Sequence, residues 1–306
     1  MKRCFLNERL KNIFLKNRDM RFIKMTGGLG NQMFIYAFYM RMKKHYRNTR
    51  IDLSDMVHYK AHNGYEMHRV FNLPPIEFRI NQPLKKVIEF LFFKKIYERK
   101  QVPSSLVPYD KKYFWPLLYF KGFYQSERFF ADMADDIRKA FTFNLRLSNR
   151  KTKEMSEQID HDENAVSIHV RRGDYLEPKY WKTTGCVCQL PYYLNAIAEM
   201  NKRISQPSYY VFSDDIAWVK ENLPLPKAFF IDWNKGAESW QDMMLMSRCR
   251  HHIICNSTFS WWGAWLNPRE NKTVIMPERW FRHCETPDIC PHKWIKVPIN
   301  QPDSIQ

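Results

Sequence analysis

Two adjacent arginines, Arg171 and Arg172, stand where an apolar run gives way to polar residues, and they could bind a phosphate group. The run before them, residues 165–170, has the length and composition of a strand buried on both faces, as parallel sheets require. Ligands of open α/β sheets bind at the carboxyl ends of such strands. Guanidinium groups offer rigid donor pairs that match phosphate oxygens, and Gly173 lets a backbone approach closely. The alternative is a surface pair bridged to Asp174, which the placement at a strand end disfavours.

Polar residues also follow the other strands predicted in the second half of the chain. Strands are predicted over 209–212, 228–231, 252–255 and 273–276, and intervening helices indicate a mainly parallel, right-handed sheet. The carboxyl edge of this sheet would collect Arg171, Arg172, Asp174, Ser213, Asp214, Asp215, Asn256, Ser257 and Thr258. This set suits a nucleotide, because arginines, hydroxyls and the N–H groups of a helix start can hold a diphosphate. The carboxylates could accept from ribose hydroxyls or from the N1–H and N2–H edge of guanine.

Several of these residues also have a local interpretation. Asp214 is typical of a helix cap, and Asn256 and Ser257 are common in turns. Ser239 and Asp242 have the spacing of a capping box for the helix that follows them. The convergence of the set at one sheet edge favours binding over the local interpretation.

A glycine-rich turn near the start of the chain is the second candidate for ligand binding. It occupies residues 27–32, between a strand predicted over 21–26 and a helix predicted over 33–42. A helix start with free N–H groups suits a polar ligand, and Asn31 and Gln32 stand beside it. A tight turn without a ligand is the alternative.

The same turn partly matches a dinucleotide-binding fingerprint. Gly28 and Gly30 have the required spacing, and Asp52 follows at a suitable distance, near the end of a second predicted strand. Met33, however, takes the place of the third glycine, where close packing of helix on strand resists a large side chain. The dinucleotide interpretation is therefore a minor one.

The composition is that of a globular protein with an anionic partner. A chain of 306 residues can form one large or two ordinary domains. Its 44% hydrophobic and 16% aromatic content excludes a disordered chain. Lysine and arginine number 49 against 32 acidic residues, giving a net charge of +17. This charge favours a nucleic acid, a membrane surface or a phosphorylated substrate without choosing among them.

The polarity of residues 144–163, with little apolar periodicity, predicts a domain boundary. The predicted organisation is a basic extension (1–20), an N-terminal domain (21–155) and a C-terminal domain (156–306). The extension is predicted to be a short basic helix that is exposed or rests on an anionic bilayer. A second basic amphipathic helix, about 84–95, is predicted to pack on the core with a solvated basic face.

The sequence predicts a cytoplasmic protein, with peripheral contact at the inner face of the membrane as an alternative. No run approaches the ~18 apolar residues of a membrane span, and the start lacks the features of a signal peptide. Seven cysteines, an odd number, favour reduced thiols over a disulfide framework. The group weighed as a zinc site comprises Cys186, Cys188, Cys284, Cys290 and His292, whose spacing matches no common zinc pattern. His58, His62 and His68 also lack metal spacing and are predicted to be solvated or locally hydrogen-bonded.

Four sequence blocks, in this order, resemble the α-1,2-fucosyltransferases. They are residues 27–34, 169–175, 212–215 and 256–263. The resemblance implies an α/β protein of GT-B type, with two facing Rossmann-like domains of mainly parallel sheets. It also implies GDP-L-fucose as the donor substrate, inversion at the fucose anomeric carbon, and neither a metal nor another cofactor. By the same resemblance, the N-terminal domain (21–155) lies on the acceptor side and the C-terminal domain (156–306) binds the GDP-sugar.

The resemblance also implies roles for individual residues. Arg171 would grip the β-phosphate of the donor, while Arg172 supports it or the geometry of the site. The set predicted to bind the donor comprises His169, Arg172, Ser213, Asp214, Asp215, Asn256, Ser257, Thr258, Gly28, Gly30 and Gln32. The residues predicted to act in the reaction are Arg171, Asp174 and Asn31. Asp174 is the first choice of general base, with Glu177 in reserve, or it orients an arginine through a salt bridge.

The implied reaction transfers L-fucose to the 2-hydroxyl of a terminal β-galactoside. The basic surface suggests a bacterial-type enzyme that decorates a lipid-linked cell-surface glycan. One alternative is a GT-B enzyme that uses another nucleotide sugar. A dinucleotide-dependent oxidoreductase is a weaker alternative, because it leaves the arginine pair unexplained. No nucleic-acid partner is expected, since the chain has no aromatic platform or basic stripe of the usual kind.

Overall fold

The computed structural model describes residues 21–59, 62–74, 76, 78–80, 83, 85, 109, 119–185, 187–283 and 285–300. The basic extension (1–20) and most of the basic helix predicted over 84–95 lie outside the described residues. Strands are found at β1 (Arg21–Lys24), β2 (Thr49–Asp52), β3 (Tyr119–Phe120), β4 (Ala165–Val170), β5 (Ser208–Ser213), β6 (Ala228–Ile231), β7 (His251–Ile253), β8 (Val274–Pro277) and β9 (Ile295–Val297).

Helices lie between most of these strands. They are α1 (Leu29–His45), α2 (Met67–Val70), α3 (Ala134–Ala140), α4 (Arg150–Asp160), α5 (Pro178–Tyr180), α6 (Leu190–Arg203), α7 (Ile216–Asn222), α8 (Trp240–Arg248) and α9 (Thr258–Leu266). No helix in the described part of the chain has the length and apolar content needed to cross a bilayer.

The described strands of the first half form a small parallel sheet in the order β2-β1-β3. Ile23 pairs with Ile51 on one side and with Phe120 on the other, and all three side chains are buried. Helix α1 follows β1 directly and begins at Leu29, inside the predicted glycine turn. The helix therefore starts earlier than its apolar pattern indicated.

The second half forms a six-stranded parallel sheet in the order β6-β5-β4-β7-β8-β9. The central strand β4 is buried along its whole length, which explains its uninterrupted apolar run. Its last residue, Val170, pairs with Ser213 at the end of β5, so their following loops meet at one edge. The prediction of mainly parallel sheets is confirmed.

Helix α4 occupies the polar segment that predicted a domain boundary. Asn149 begins it by accepting a hydrogen bond from the Thr152 backbone N–H at 2.9 Å. Its buried positions are Thr152, Ser156 and Ile159, of which only one is apolar. Apolar periodicity therefore misses this helix, and the predicted boundary at residue 155 falls inside it. The division into domains stays a prediction.

A shared aromatic core joins the two halves. The Phe34 ring of α1 lies 4.9 Å from the Trp262 ring of α9, and Phe130 stacks on the same indole at 5.5 Å. Burial of one such phenylalanine contributes roughly 1.5–3 kcal/mol. The contact also brings the start of α1 against the start of α9, because Trp262 Nε1 donates to the Gly30 carbonyl at 2.9 Å. This packing fixes the two walls of the cleft described next.

Candidate active site

A cleft of about 880 Å³ opens between the two halves. Eleven of the fourteen residues predicted from the sequence to bind or react line it: Gly28, Gly30, Asn31, His169, Arg171, Asp174, Ser213, Asp214, Asn256, Ser257 and Thr258. Gln32, Arg172 and Asp215 are not among its lining residues. The carboxyl edge of the large sheet and the glycine turn of the small sheet therefore face one cavity.

Arg171 is held in place by two carboxylates. Asp174 Oδ1 accepts from Arg171 Nε at 2.9 Å and from Nη2 at 2.8 Å. Asp214 Oδ2 lies 3.4 Å from the same Nε. The guanidinium thus reaches the cleft in one fixed orientation. Asp174 Oδ1 therefore orients Arg171, which is one of the two roles predicted for this residue.

Asp214 is itself anchored to the turn after β4. Its Oδ1 accepts from the Arg172 backbone N–H at 2.8 Å. A Cβ atom on Gly173 would lie 2.7 Å from Asp214 Oδ2, closer than real Cβ contacts. Glycine at this position therefore admits the Asp214 carboxylate rather than a ligand.

Arg172 and Asp215 pair with each other outside the cleft lining. Arg172 Nε donates to Asp215 Oδ2 at 3.1 Å, and the guanidinium lies 4.1 Å from the centre of the Trp218 ring. Asp215 also caps α7 by accepting from the Trp218 backbone N–H at 3.1 Å. Each of the two side chains therefore helps to fix the loop that carries it.

His169 is buried at the end of β4, with its Nδ1 3.2 Å from Cys255 Sγ. Burial, and next the positive charge of Arg171, lower the pKa of His169 to about 4. Burial also raises the pKa of the Cys255 thiol to about 12. The pair is therefore uncharged at neutral pH and can offer hydrogen bonds without adding charge to the cleft.

The loop between β7 and α9 brings a helix start to the cleft. Asn256 ties it to neighbouring loops by donating to the Thr184 carbonyl at 2.9 Å and to the Trp280 carbonyl at 3.0 Å. Ser257 is the N-cap, accepting from the Phe259 N–H at 3.4 Å, and Thr258 is the first helical residue. Free N–H groups and the helix dipole favour an anion at such a place.

The glycine turn packs directly on this helix start. A Cβ atom on Gly30 would lie 2.7 Å from the Thr258 carbonyl carbon and 2.8 Å from the Phe259 nitrogen. Gly30 therefore allows two backbones to approach, one from each half of the protein. Asn31, the next residue, faces the cleft and accepts from Gln125 Nε2 at 2.8 Å.

Gln32 is fully buried and holds the neighbouring loop. Its Nε2 donates to the carbonyls of Gly27 and Gly64 at 2.9 and 2.6 Å, and its Oε1 accepts from the Glu66 N–H at 3.0 Å. With all these bonds made internally, Gln32 positions the loop at 62–66 instead of facing a sugar.

Asp52 cannot serve a dinucleotide. Its carboxylate is buried and accepts from the Ser54 N–H at 2.9 Å, the Ile80 N–H at 3.2 Å and the Tyr119 hydroxyl at 2.8 Å. Since the start of α9 also packs on Gly30, a pyrophosphate could not approach that glycine as the fingerprint requires.

The sequence matches glycosyl transferase family 11 over residues 14–297. The chain belongs to this family. It is 32% identical over 293 residues to an alpha-1,2-colitosyltransferase of Escherichia coli, covering 90% of this chain and 97% of that protein. It is 27% identical over 299 residues to the O-antigen biosynthesis glycosyltransferase WbnK of Escherichia coli, covering 89% and 99%.

A galactoside alpha-(1,2)-fucosyltransferase 1 of Ateles belzebuth is 31% identical over 160 residues, which cover 49% of this chain and 43% of that protein. The resemblance to α-1,2-fucosyltransferases is confirmed at the level of the family, and the chain is a glycosyltransferase. Its two parallel sheets and the cleft lined from both halves agree with the GT-B fold that the resemblance implied.

The cleft of this family 11 enzyme also contains residues that sequence reasoning missed. They come from loops of both halves and include His62, Asn63, Glu66, Phe123, Gln125, Asn234, Lys235, Asp242, Trp280 and Phe281. Within the described ranges, no group of three or more His, Cys, Asp or Glu side chains could hold a metal ion. Cys186 and Cys284, weighed above as zinc ligands, lie outside those ranges.

Asp242 differs from its predicted role. The Ser239 side chain makes no capping bond, so the expected capping box is absent at this described helix start. Asp242 Oδ1 instead accepts from Asn234 Nδ2 at 2.8 Å, at the wall of the cleft. Removal of the carboxyl group from solvent raises the pKa of Asp242 from 3.8 to about 7.

We expect Asp242→Asn to stabilise the glycosyltransferase at about pH 8 and to change its stability little near about pH 4. The folded protein must give up a proton that it holds more tightly than the unfolded chain does. Stability therefore falls as pH rises from 3.8 to about 7. A tenfold difference in proton affinity between the folded and unfolded states corresponds to about 1.4 kcal/mol, so the gain is on the order of a few kcal/mol.

Urea unfolding of both proteins at the two pH values measures this gain. Asparagine can accept the same hydrogen bond from Asn234, so packing is preserved. An equal difference between the two proteins at both pH values would contradict the effect.

Proposed function

We propose that the enzyme transfers L-fucose from GDP-L-fucose, with inversion, to the 2-hydroxyl of a terminal β-galactoside during surface polysaccharide synthesis. The observation that carries this proposal is the fixed Arg171 guanidinium, which faces the same cleft as the start of α9. Together they form a site for a diphosphate. The similarity to an alpha-1,2-colitosyltransferase and to a galactoside alpha-(1,2)-fucosyltransferase 1 supports the α-1,2 linkage and the galactoside acceptor.

Arg171 stabilises the departing GDP in this mechanism. The acceptor oxygen bonds to the anomeric carbon as the bond from that carbon to the β-phosphate breaks, so negative charge grows on the phosphate. A guanidinium already oriented by Asp174 and Asp214 needs no reorganisation when that charge appears. Such a group contributes about 2.7–4 kcal/mol to transition-state stabilisation.

The other predicted residues divide between contact and support. His169 and Asp214 line the cleft and are proposed to meet guanine and ribose, while Asn31 meets the donor sugar from the opposite wall. Arg172 and Asp215 support these contacts by fixing the loops after β4 and β5. The N-terminal half, 21–155, is proposed to choose the acceptor.

A transfer assay tests the proposal. Purified protein is incubated with GDP-L-fucose and a panel of galactosides, and the linkage formed is determined by NMR. An α-1,2-fucosylated β-galactoside is the expected product. The similarity to an alpha-1,2-colitosyltransferase favours one second candidate, colitosyl transfer. Competition between the fucosyl and colitosyl donors decides between the two.

Transfer should persist undiminished in EDTA. In the proposed mechanism the Arg171 guanidinium and the start of α9 stabilise the diphosphate, which is the role that a metal ion would otherwise have. Removal of metal ions by EDTA should therefore not affect the rate. Initial rates with and without EDTA measure this. Loss of activity that added magnesium or manganese restores would contradict the mechanism.

A lipid-linked acceptor and peripheral contact with an anionic membrane complete the proposal. The net charge of +17 and the similarity to an O-antigen glycosyltransferase support it. Co-flotation with vesicles that contain anionic lipid, compared with neutral vesicles, tests the membrane contact.

A further inference from the structure

His62 stands at the cleft and faces the phosphate-binding arginine. Its side chain lines the cavity together with Arg171 and Asp174. A Cβ atom on Gly28 would lie 3.2 Å from its ring carbons Cγ and Cδ2, so the imidazole rests on the glycine turn. The Tyr59 ring centroid is 6.3 Å from that of His62. The imidazole thus occupies the wall opposite the proposed donor site.

The loop that carries His62 is clamped from both halves of the protein. Gln32 Nε2 donates a hydrogen bond to the Gly64 carbonyl of this loop. Across the cleft, Asn63 Nδ2 donates to the Gly236 carbonyl at 2.8 Å. His62 itself has φ of +56°, in the left-handed region that residues with side chains seldom adopt. Strain of this kind persists where surrounding bonds enforce it, and it gathers at functional sites.

Most of the other acid–base side chains that line the cleft contact a described partner. The pairs are Asp174 with Arg171, Asp214 with the Arg172 N–H, Glu66 with Arg69, Asp242 with Asn234, and His169 with Cys255. Asp232 is exposed at the end of β6, two strands away from β4. Glu177, the reserve choice of base, pairs with Lys179 at 2.8 Å and is not a lining residue.

The ring nitrogens of His62, by contrast, make no hydrogen bond to another described residue, and its side chain is exposed to the cleft. We propose that His62 is the general base that takes the proton from the acceptor hydroxyl. This proposal rests on the proposed function. As the acceptor oxygen bonds to the anomeric carbon, the electron pair of the breaking bond leaves with GDP. The hydroxyl proton passes to the unprotonated imidazole and then to solvent.

The charge around His62 keeps the imidazole ready for this role. Partial removal from solvent, and next the Arg171 charge, lower the pKa of His62 from its usual value near 6.5, while Asp174 opposes them. Tyr59 and Tyr180 contribute neutral phenols nearby, and Arg69 offsets the charge of Glu66. At neutral pH the ring is therefore unprotonated and able to accept a proton.

The test compares His62→Asn with His68→Asn. Asparagine tolerates the left-handed conformation, so the first variant removes the base and keeps the loop. His68 is exposed six residues later, stacks on Tyr65 at 5.4 Å and does not line the cleft. We expect kcat to fall by about 10²- to 10⁴-fold in His62→Asn. The His68 variant should keep the wild-type kcat, and GDP should bind all three proteins equally by calorimetry.

The pH profile separates a base from a structural residue. Wild-type kcat/KM should rise with pH through an inflection below 6.5 and then level off, and His62→Asn should lack this inflection. A wild-type inflection that His62→Asn leaves unchanged would overturn the proposal. So would His62→Asn with kcat within about threefold of the wild type, well short of the usual effect of a base. Failure of the wild type to transfer fucose at all would instead refute the proposed function.

Discussion

Replacing Arg171 with lysine should nearly abolish fucosyl transfer while the protein still folds. Lysine keeps the charge but cannot reproduce the planar fork that binds Asp174 through Nε and Nη2. The ammonium would lose its fixed orientation toward the phosphate, and the transition state would lose most of the stabilisation argued above. We expect kcat to fall by about 10²- to 10³-fold. Steady-state kinetics with GDP-L-fucose measure this loss, and thermal unfolding checks the fold.

Arg172→Lys is the matched control, because it makes the same change one residue away. Arg172 pairs with Asp215 and stacks on Trp218 outside the cleft lining. Loss of the Arg172 guanidinium should reduce kcat by no more than about tenfold, as expected for a supporting interaction worth about 1.4 kcal/mol. Equal losses in the two variants would refute the separate roles. An Arg171 variant with nearly full activity would remove the phosphate role altogether.

The sequence predicted the donor-side edge of the sheet well, because each signal there is local. A continuous apolar run is typical of a strand that is buried on both faces in a parallel sheet, so β4 and the arginines after it could be placed from the sequence pattern. The same argument located β5, and thereby Ser213 and Asp214, whereas β6 is an edge strand and only partly buried. Eight of the eleven predicted residues at the cleft lie at this edge, and Gly28, Gly30 and Asn31 come from the glycine turn.

Residues whose roles depend on distant partners could not be predicted. Gln32 appeared to face a ligand, but it bonds to Gly64 and Glu66, thirty-two and thirty-four positions away. Asp242 matched a capping box, but its carboxylate accepts a hydrogen bond from the Asn234 side chain instead. His62 lies on a loop without periodicity, and only the packing of the two halves brings it to the cleft. Sequence spacing carries no information about such contacts.

At Gly30 the sequence predicted a close approach but not the group that approaches. Gly30 was expected to approach a ligand, and it does enable a close approach, but to the backbone of α9. A glycine signals that something comes near without saying what it is. Gly30 matters for catalysis because it allows α1 to pack against the start of α9, which is proposed to bind the diphosphate.

Gly30→Ala should reduce both stability and turnover. The added Cβ would meet the Thr258 carbonyl carbon and the Phe259 nitrogen at 2.7 and 2.8 Å, and backbone atoms cannot rotate away. Overpacking of this kind costs about 1–3 kcal/mol. The start of α9 must therefore move, and a displacement of about 1 Å can lower kcat by about 10²-fold. Urea unfolding and steady-state kinetics measure the two losses.

Ile197→Ala separates displacement of α9 from a general loss of stability. Ile197 is buried on α6 and does not line the cleft. Truncation of this side chain should cost about 2–5 kcal/mol of stability and keep a kcat close to the wild type. If both variants lose stability and only Gly30→Ala loses turnover, the contact between α1 and α9 sets the geometry of the diphosphate site. If Gly30→Ala keeps full turnover, the helix start is not held by this contact, and its proposed part in binding the diphosphate loses its structural support.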